Sequence, residues 1–140
     1  GYFPTPEAQC LGMQTAEWQV LPHKSDVIQS QAFVDAYQFK VPLVVVQTSV
    51  HEGSLPDTHH FVKSHSQGLV WTSMKMAEES DDVIIRWFNP SEEKVSLQAV
   101  IDQNHESYKS TILEEKTEHT QDSYELGKYE ILTLGFHKKR

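Results

Sequence analysis

The sequence predicts a mainly β fold, an antiparallel β-sandwich carrying one short helix near residues 25–39. Three observations lead there. The run 81–97 reads as strand, turn, strand. Its first strand is apolar on both faces, with Val83, Ile85 and Trp87 on one side and Ile84 and Phe88 on the other, so it is covered from both sides. Its second strand alternates, Val95, Leu97, Ala99 and Ile101 against Lys94, Ser96 and Gln98, as a half-buried strand does. Asn89-Pro90-Ser91-Glu92 between them is turn chemistry, and the pair reads as a sandwich hairpin. Finally, short β-branched and aromatic runs recur along the chain with turn signals between them.

Residues 1–16 read as irregular, punctuated by Pro4, Pro6 and Gly12. A strand over 17–21 stops at Pro22-His23. Ser25 and Asp26 offer a capping oxygen ahead of Val27, Ile28, Ala32, Phe33, Ala36 and Tyr37, which approximate one helical face and predict a helix to residue 39. The apolar, β-branched run 43–49 is a buried strand, and 53–57 is loop. A short strand over 60–64 follows. In the strand 69–76, alternation sets Val70, Thr72, Met74 and Met76 opposite Trp71, Ser73 and Lys75. Residues 77–82 form an acidic turn into the hairpin. A strand over 108–113, a polar exposed connection over 114–121 and a final strand over 128–136 complete the chain. The final strand has Leu132, Leu134 and Phe136 on one face and Tyr129, Ile131 and Thr133 on the other.

The chain has 140 residues, which fits a single domain, and three Trp, six Phe and five Tyr supply bulk for a core. A net charge of −8 argues against a nucleic-acid platform, which carries a basic face. The basic end His137-Lys138-Lys139-Arg140 is too short to alter that. Cys10 is the single cysteine, so no intrachain disulfide forms and nothing marks an oxidising compartment. No apolar run approaches the ~20 residues that span a membrane. The expected partners therefore include neither nucleic acid nor membrane, and the expected location is cytoplasmic. The opening Gly1-Tyr2-Phe3-Pro4, without Met, suggests a piece cut from a longer protein. Such a piece exposes an apolar docking face, expected around Tyr2, Phe3 and Leu11.

Candidate chemistry is sparse. Eight histidines are present, at 23, 51, 59, 60, 65, 105, 119 and 137, but none forms His-x-His or a helical pair, the spacings that bring imidazoles within ~2.1 Å of one ion. Only loop folding could gather His51, His59 and His65. The carboxylate pairs Glu78-Glu79, Asp81-Asp82, Glu92-Glu93 and Glu114-Glu115 are sequence neighbours at turns and read as solvated charges. Two carboxylates facing each other across a cleft would be needed for acid/base work. Cys10 with a distant His is a thiol site in principle only. Arg86 interrupts an apolar face and needs water, an anion, a sugar hydroxyl or a neighbouring acid. Trp71 and Trp87 are either a sugar-stacking pair or core. No residue is assigned a catalytic, cofactor-binding or metal-binding role.

Three stretches together carry a resemblance. They are Pro6-Glu7-Ala8-Gln9-Cys10-Leu11-Gly12 with a strand ending Leu21-Pro22-His23; Val70-Trp71-Thr72-Ser73-Met74-Lys75-Met76-Ala77-Glu78 running into Ile84-Ile85-Arg86-Trp87-Phe88-Asn89; and Tyr129-Glu130-Ile131-Leu132-Thr133-Leu134. In this order and spacing the chain resembles the C-terminal region of glycoside hydrolase family 38, the α-mannosidases, closest to the bacterial branch with mannosylglycerate hydrolases. The resemblance implies a parent that is a retaining α-mannosidase. Its aspartate nucleophile and zinc site of His and Asp ligands would lie in an N-terminal catalytic domain, followed by a helical bundle and β-rich domains. None of those motifs matches a position here. The chain would then be a supporting domain with no cofactor of its own, inactive alone, partnered by the upstream catalytic and helical domains, while an α-mannoside is the parent's substrate. Mannosylglycerate, its 6-phosphate and mannan fragments all stay open. Two other classes compete: an autonomous carbohydrate-binding sandwich, which predicts aromatics along one open face, and a small metal-dependent β-barrel enzyme using the histidines.

Overall fold

Alternating strands bury one face each, and here two antiparallel sheets press those faces together, as a sandwich requires. The computed structural model describes residues 11–66, 68–118 and 121–139. Its elements are α1 (Ala32–Lys40), β1 (Lys63–His65), β2 (Val70–Met76), β3 (Val83–Phe88), β4 (Val95–Val100), β5 (His105–Ser110), β6 (Lys116–Glu118), β7 (Tyr124–Leu126) and β8 (Ile131–Lys138). One sheet has the order β1-β4-β7, the other β2-β3-β8-β5-β6. The predicted fold class, a mainly β sandwich with one short helix, is the observed one.

Register explains which face is core. Val83, Ile85 and Trp87 of β3 lie opposite Phe136, Leu134 and Leu132 of β8, and these six side chains face Leu97 and Ala99 of β4 and Tyr124 and Leu126 of β7. Leu97, Leu126, Leu134 and Ile85 are completely enclosed. Each such side chain contributes about 1.5–3 kcal/mol relative to leaving it in water. The Tyr124 hydroxyl bridges the sheets to Ser107 Oγ of β5 at 3.0 Å, so this buried polar pair is satisfied. β3 is covered on its second face too, where Ile84, opposite Gly135 of β8, is 2% exposed.

Several expectations need correction. β3 and β4 do not pair. β3 lies between β2 and β8, and β4 between β1 and β7, so residues 89–94 form an arch between sheets rather than a hairpin turn. In β2 a bulge between Trp71 and Ser73 shifts the phase. Trp71 stands opposite Trp87, Met74 opposite Ile85 and Met76 opposite Val83, so Trp71 shares a face with the two methionines and not with Ser73 and Lys75. The polar stretch expected as connection contains the edge strand β6, and β7 was not foreseen. β5 begins at His105 and ends at Ser110, because residues 111–115 turn through Glu114 at φ 68. β8 starts at Ile131, after a turn in which Tyr129 has φ 55.

The helix is shorter than expected. Asp26 Oδ1 accepts from the amides of Ile28 and Gln29 at 2.8 and 3.0 Å, the predicted cap, but Gln31 enters the left-handed region at φ 55 and the helix proper starts at Ala32. The runs 17–21 and 43–49 are in no strand, and their residues are exposed. Their side chains suit strands, but a strand exists only with a hydrogen-bonding neighbour, and neither run has one among the described residues. Of the expected docking residues, Leu11 is 85% exposed, while Tyr2 and Phe3 lie outside the described residues.

Candidate functional site

The outer face of the five-stranded sheet carries the densest set of polar side chains. A groove of about 790 Å³ there is lined by Lys75, Asp82, Tyr108, Glu114, Lys116 and His137, among others. The sheet sets their positions. Arg86 on β3 lies opposite Ser73 of β2 and Thr133 of β8, and Tyr108 on β5 lies opposite Gly135 of β8. A β-carbon at 135 would come within 2.1 Å of the Tyr108 ring, so Gly135 is what lets that ring lie flat across β8.

Two linked networks fill this face. In the first, the Tyr108 hydroxyl donates to Asp82 Oδ2 at 2.7 Å, and Lys116 Nζ lies 3.8 Å from the same oxygen and 4.1 Å from the ring centroid. Burial first, and then the Asp82 carboxylate, push the Tyr108 phenol well above its ordinary range, so it serves as a neutral donor. In the second, Lys75 Nζ bonds Glu114 at 2.9 Å and also bonds Glu78, while the Glu78 amide donates to Glu114 Oε2 at 2.8 Å. Lys75 chiefly, then the Glu78 amide, and at longer range Arg86, hold the Glu114 carboxyl below the usual carboxylate range. Arg86 Nε donates to Thr133 Oγ1 at 3.0 Å, so the partner it reaches is a hydroxyl and the acid acts only through its field.

A second polar assembly sits at one end of the sandwich. Asn89 is fully enclosed. Its amide reaches the carbonyls of Glu93 at 2.7 Å and Gly127 at 2.8 Å, with Leu126 at 3.3 Å sharing those two hydrogens. Its Oδ1 accepts from the Ser91 amide at 3.0 Å and from Ser91 Oγ at 2.8 Å. Asn89 thus ties the β3–β4 arch to the β7–β8 connection. Outside it, Glu92 accepts from Lys128 at 2.8 Å and from the Tyr129 hydroxyl at 3.1 Å, and both contacts lower its carboxyl, Lys128 first.

What can these arrangements do chemically? A general acid needs a carboxyl held above its ordinary range. The shifted carboxylates among the described residues, Glu92, Asp102 and Glu114, all move down because a basic side chain, Lys128, His105 or Lys75, engages each. They are anchors for cations. Of each predicted acidic pair, one member joins such a network: Glu78, Asp82, Glu92 and Glu114. No three His, Cys, Asp or Glu side chains converge on a metal position among the described residues, so a zinc ion of the kind the family resemblance implies finds no fitting donor set there. His51, His59 and His65 are exposed and not brought together, while Cys10 and His119 lie outside the described residues. Trp87 is core at 2% exposure, with the Trp71 ring 6.3 Å away and tilted by 37°, so the pair offers no flat sugar platform. Asn89 and Tyr108 are the structural polar residues that the sequence reading did not single out. A buried Asn before Pro looks like any turn Asn until its neighbours are placed.

A second groove, of about 530 Å³, runs between α1 and β2 and is apolar, lined by Phe33, Tyr37, Val41, Val70 and Trp71.

Comparison with known proteins adds to this geometry. Residues 68–134 match the family described as "Glycosyl hydrolases family 38 C-terminal beta sandwich domain". The chain is 39% identical over 143 residues to a protein of Halalkalibacterium halodurans named "Putative mannosylglycerate hydrolase". The similarity covers 97% of this chain and 16% of that relative. The chain thus spans about a sixth of the length of the curated relative it matches. No solved structure matches.

Proposed function

We propose, from the match of residues 68–134 to the C-terminal β-sandwich domain of the family-38 glycosyl hydrolases, that the chain is a non-catalytic C-terminal part of a zinc-dependent retaining α-mannosidase. It works by packing against upstream catalytic and helical domains and bracing the wall of their active site. Mannosylglycerate is the substrate that the relative's printed name favours, and α-mannosides are the broader class. The observation that carries this reading is the extent of the similarity, which runs through nearly the whole of this chain but only 16% of the relative. The site chemistry is compatible with it, since the shifted carboxylates are fastened to basic side chains.

The test is a side-by-side assay of bound zinc and of aryl α-mannoside hydrolysis, for the 140-residue chain and for the longer polypeptide. A zinc-free, inert chain beside a zinc-loaded, active polypeptide is the expected result. Stoichiometric zinc or turnover in the 140-residue chain alone would overturn it.

A further inference from the structure

Between α1 and β1 the chain carries the run Val41-Pro42-Leu43-Val44-Val45-Val46. Leu43, Val44, Val45 and Val46 are between 77 and 95% exposed, and Val50 is fully so. Four consecutive apolar residues in open water forgo about 1.5–3 kcal/mol each in lost burial. The physical chemistry of the run also specifies what it lacks. It is β-branched and begins just after a proline, which tolerates the first position of a strand. Over 43–46 it is apolar on both of its alternating faces, so the strand it would form is covered on both sides, as inner strands of packed sheets are. A shallow groove on a neighbouring surface would cover one side only.

Among the described residues this sandwich does not supply that environment. There the earliest residue packed against the core built by β3, β4, β7 and β8 is Val62. The family match likewise begins at residue 68, beyond the run. Yet the similarity to the longer relative covers 97% of the chain, so it extends through residues 41–50 as well as through the sandwich. The run therefore goes with the longer polypeptide but not with the terminal sandwich. The run 17–21, with Trp18 and Val20 exposed on one face, fits the same description for a half-covered strand.

We infer that residues 43–50 are an inner strand of a second β-sheet located in the upstream part of the same polypeptide, so that the two domains are joined by a shared strand and not only by face-to-face contact. Residues 51–62, with Gly53 and Pro56, are the crossing from that sheet into β1. This rests on the reading of the chain as the end of a longer glycosidase, and its readout is independent of hydrolysis.

Amide hydrogen exchange of the full-length polypeptide, read by mass spectrometry with and without Val45→Asp, tests it. In the unsubstituted protein, peptides covering 43–50 should exchange at least about 100-fold more slowly than an unstructured segment, as strands in a cooperative core do, and equally slowly on dilution. Val45→Asp should release protection in 43–50 together with a peptide upstream of residue 1, leaving β3 and β8 unchanged. Fast exchange of 43–50 in the unsubstituted protein would overturn the inference. So would release coupled to β2, which places the strand on this domain's own edge, or protection lost on dilution, which places it on a second copy.

Discussion

Asn89 shows how one residue specifies the crossing between two sheets. Both arches at that end turn backbone carbonyls toward Asn89, and its single carboxamide supplies donors for them. Replacing it with Ala removes the donors to those part-buried carbonyls and the acceptor of the Ser91 amide, and a hydrogen-bonding group left unpaired costs roughly 1–3 kcal/mol. Asn89→Ala should therefore lose about 2–4 kcal/mol in chemical denaturation, with a slope unchanged from the parent. Asn89→Asp should not rescue, since it removes the donor and buries a charge. Gly135 makes a second residue-scale case. Gly135→Ala forces a methyl into the Tyr108 ring and should cost about 1–3 kcal/mol, as overpacking does. Adding Tyr108→Ala should make the Ala at 135 nearly free, so a double-mutant cycle should report coupling of about 1 kcal/mol or more.

At the scale of elements, the β5–β6 hairpin is pinned to the β2–β3 turn by Glu114, whose backbone takes the left-handed conformation to present its carboxylate to Lys75 and the Glu78 amide. The pH consequence has a definite sign. A carboxyl whose folded pKa lies below its unfolded one adds stability above the unfolded pKa and loses it as pH falls through the folded one. Lys75, raised chiefly by Glu78 and then Glu114, adds stability at neutral pH that is lost only as pH rises through its own folded value. Glu114→Gln should thus lower the unfolding temperature at about pH 7, with the gap to the parent closing as pH falls through the lowered folded pKa of Glu114. A gap that persists in acid would mean the side chain acts by packing. Elements also mark where the sequence was legible. β3, β4 and β8 were readable because long alternating or doubly apolar runs leave one way to bury them. Their pairing was not, since alternation tells which face is buried but not which neighbour shares the hydrogen bonds. β6 was hidden because Lys-Thr-Glu at a sheet edge has no inward side chain to announce it. The bulge in β2 was hidden because it inserts one residue without any change in composition.

For the whole molecule, the outer-face network and the corner assembly tie the strands and their connections together, and the exposed run before β1 is its proposed attachment. The polar networks of the candidate site were not legible in the sequence. The networks that hold Asp82 and Glu114 depend on β2, β3, β8 and β5 lying side by side in one sheet, and that of Glu92 on the β3–β4 arch meeting the β7–β8 connection, which no local pattern records. We propose that these charges serve the fold and that hydrolysis belongs to other parts of the longer polypeptide. The most direct measurement is steady-state hydrolysis of an aryl α-mannoside by the full-length polypeptide carrying Asp82→Asn together with Glu114→Gln, at a temperature where the variant is folded. The account predicts kcat within about threefold of the parent alongside a lowered unfolding temperature, whereas a fall of about 10²–10⁴, the size of a lost acid/base group, with the fold intact, would contradict it.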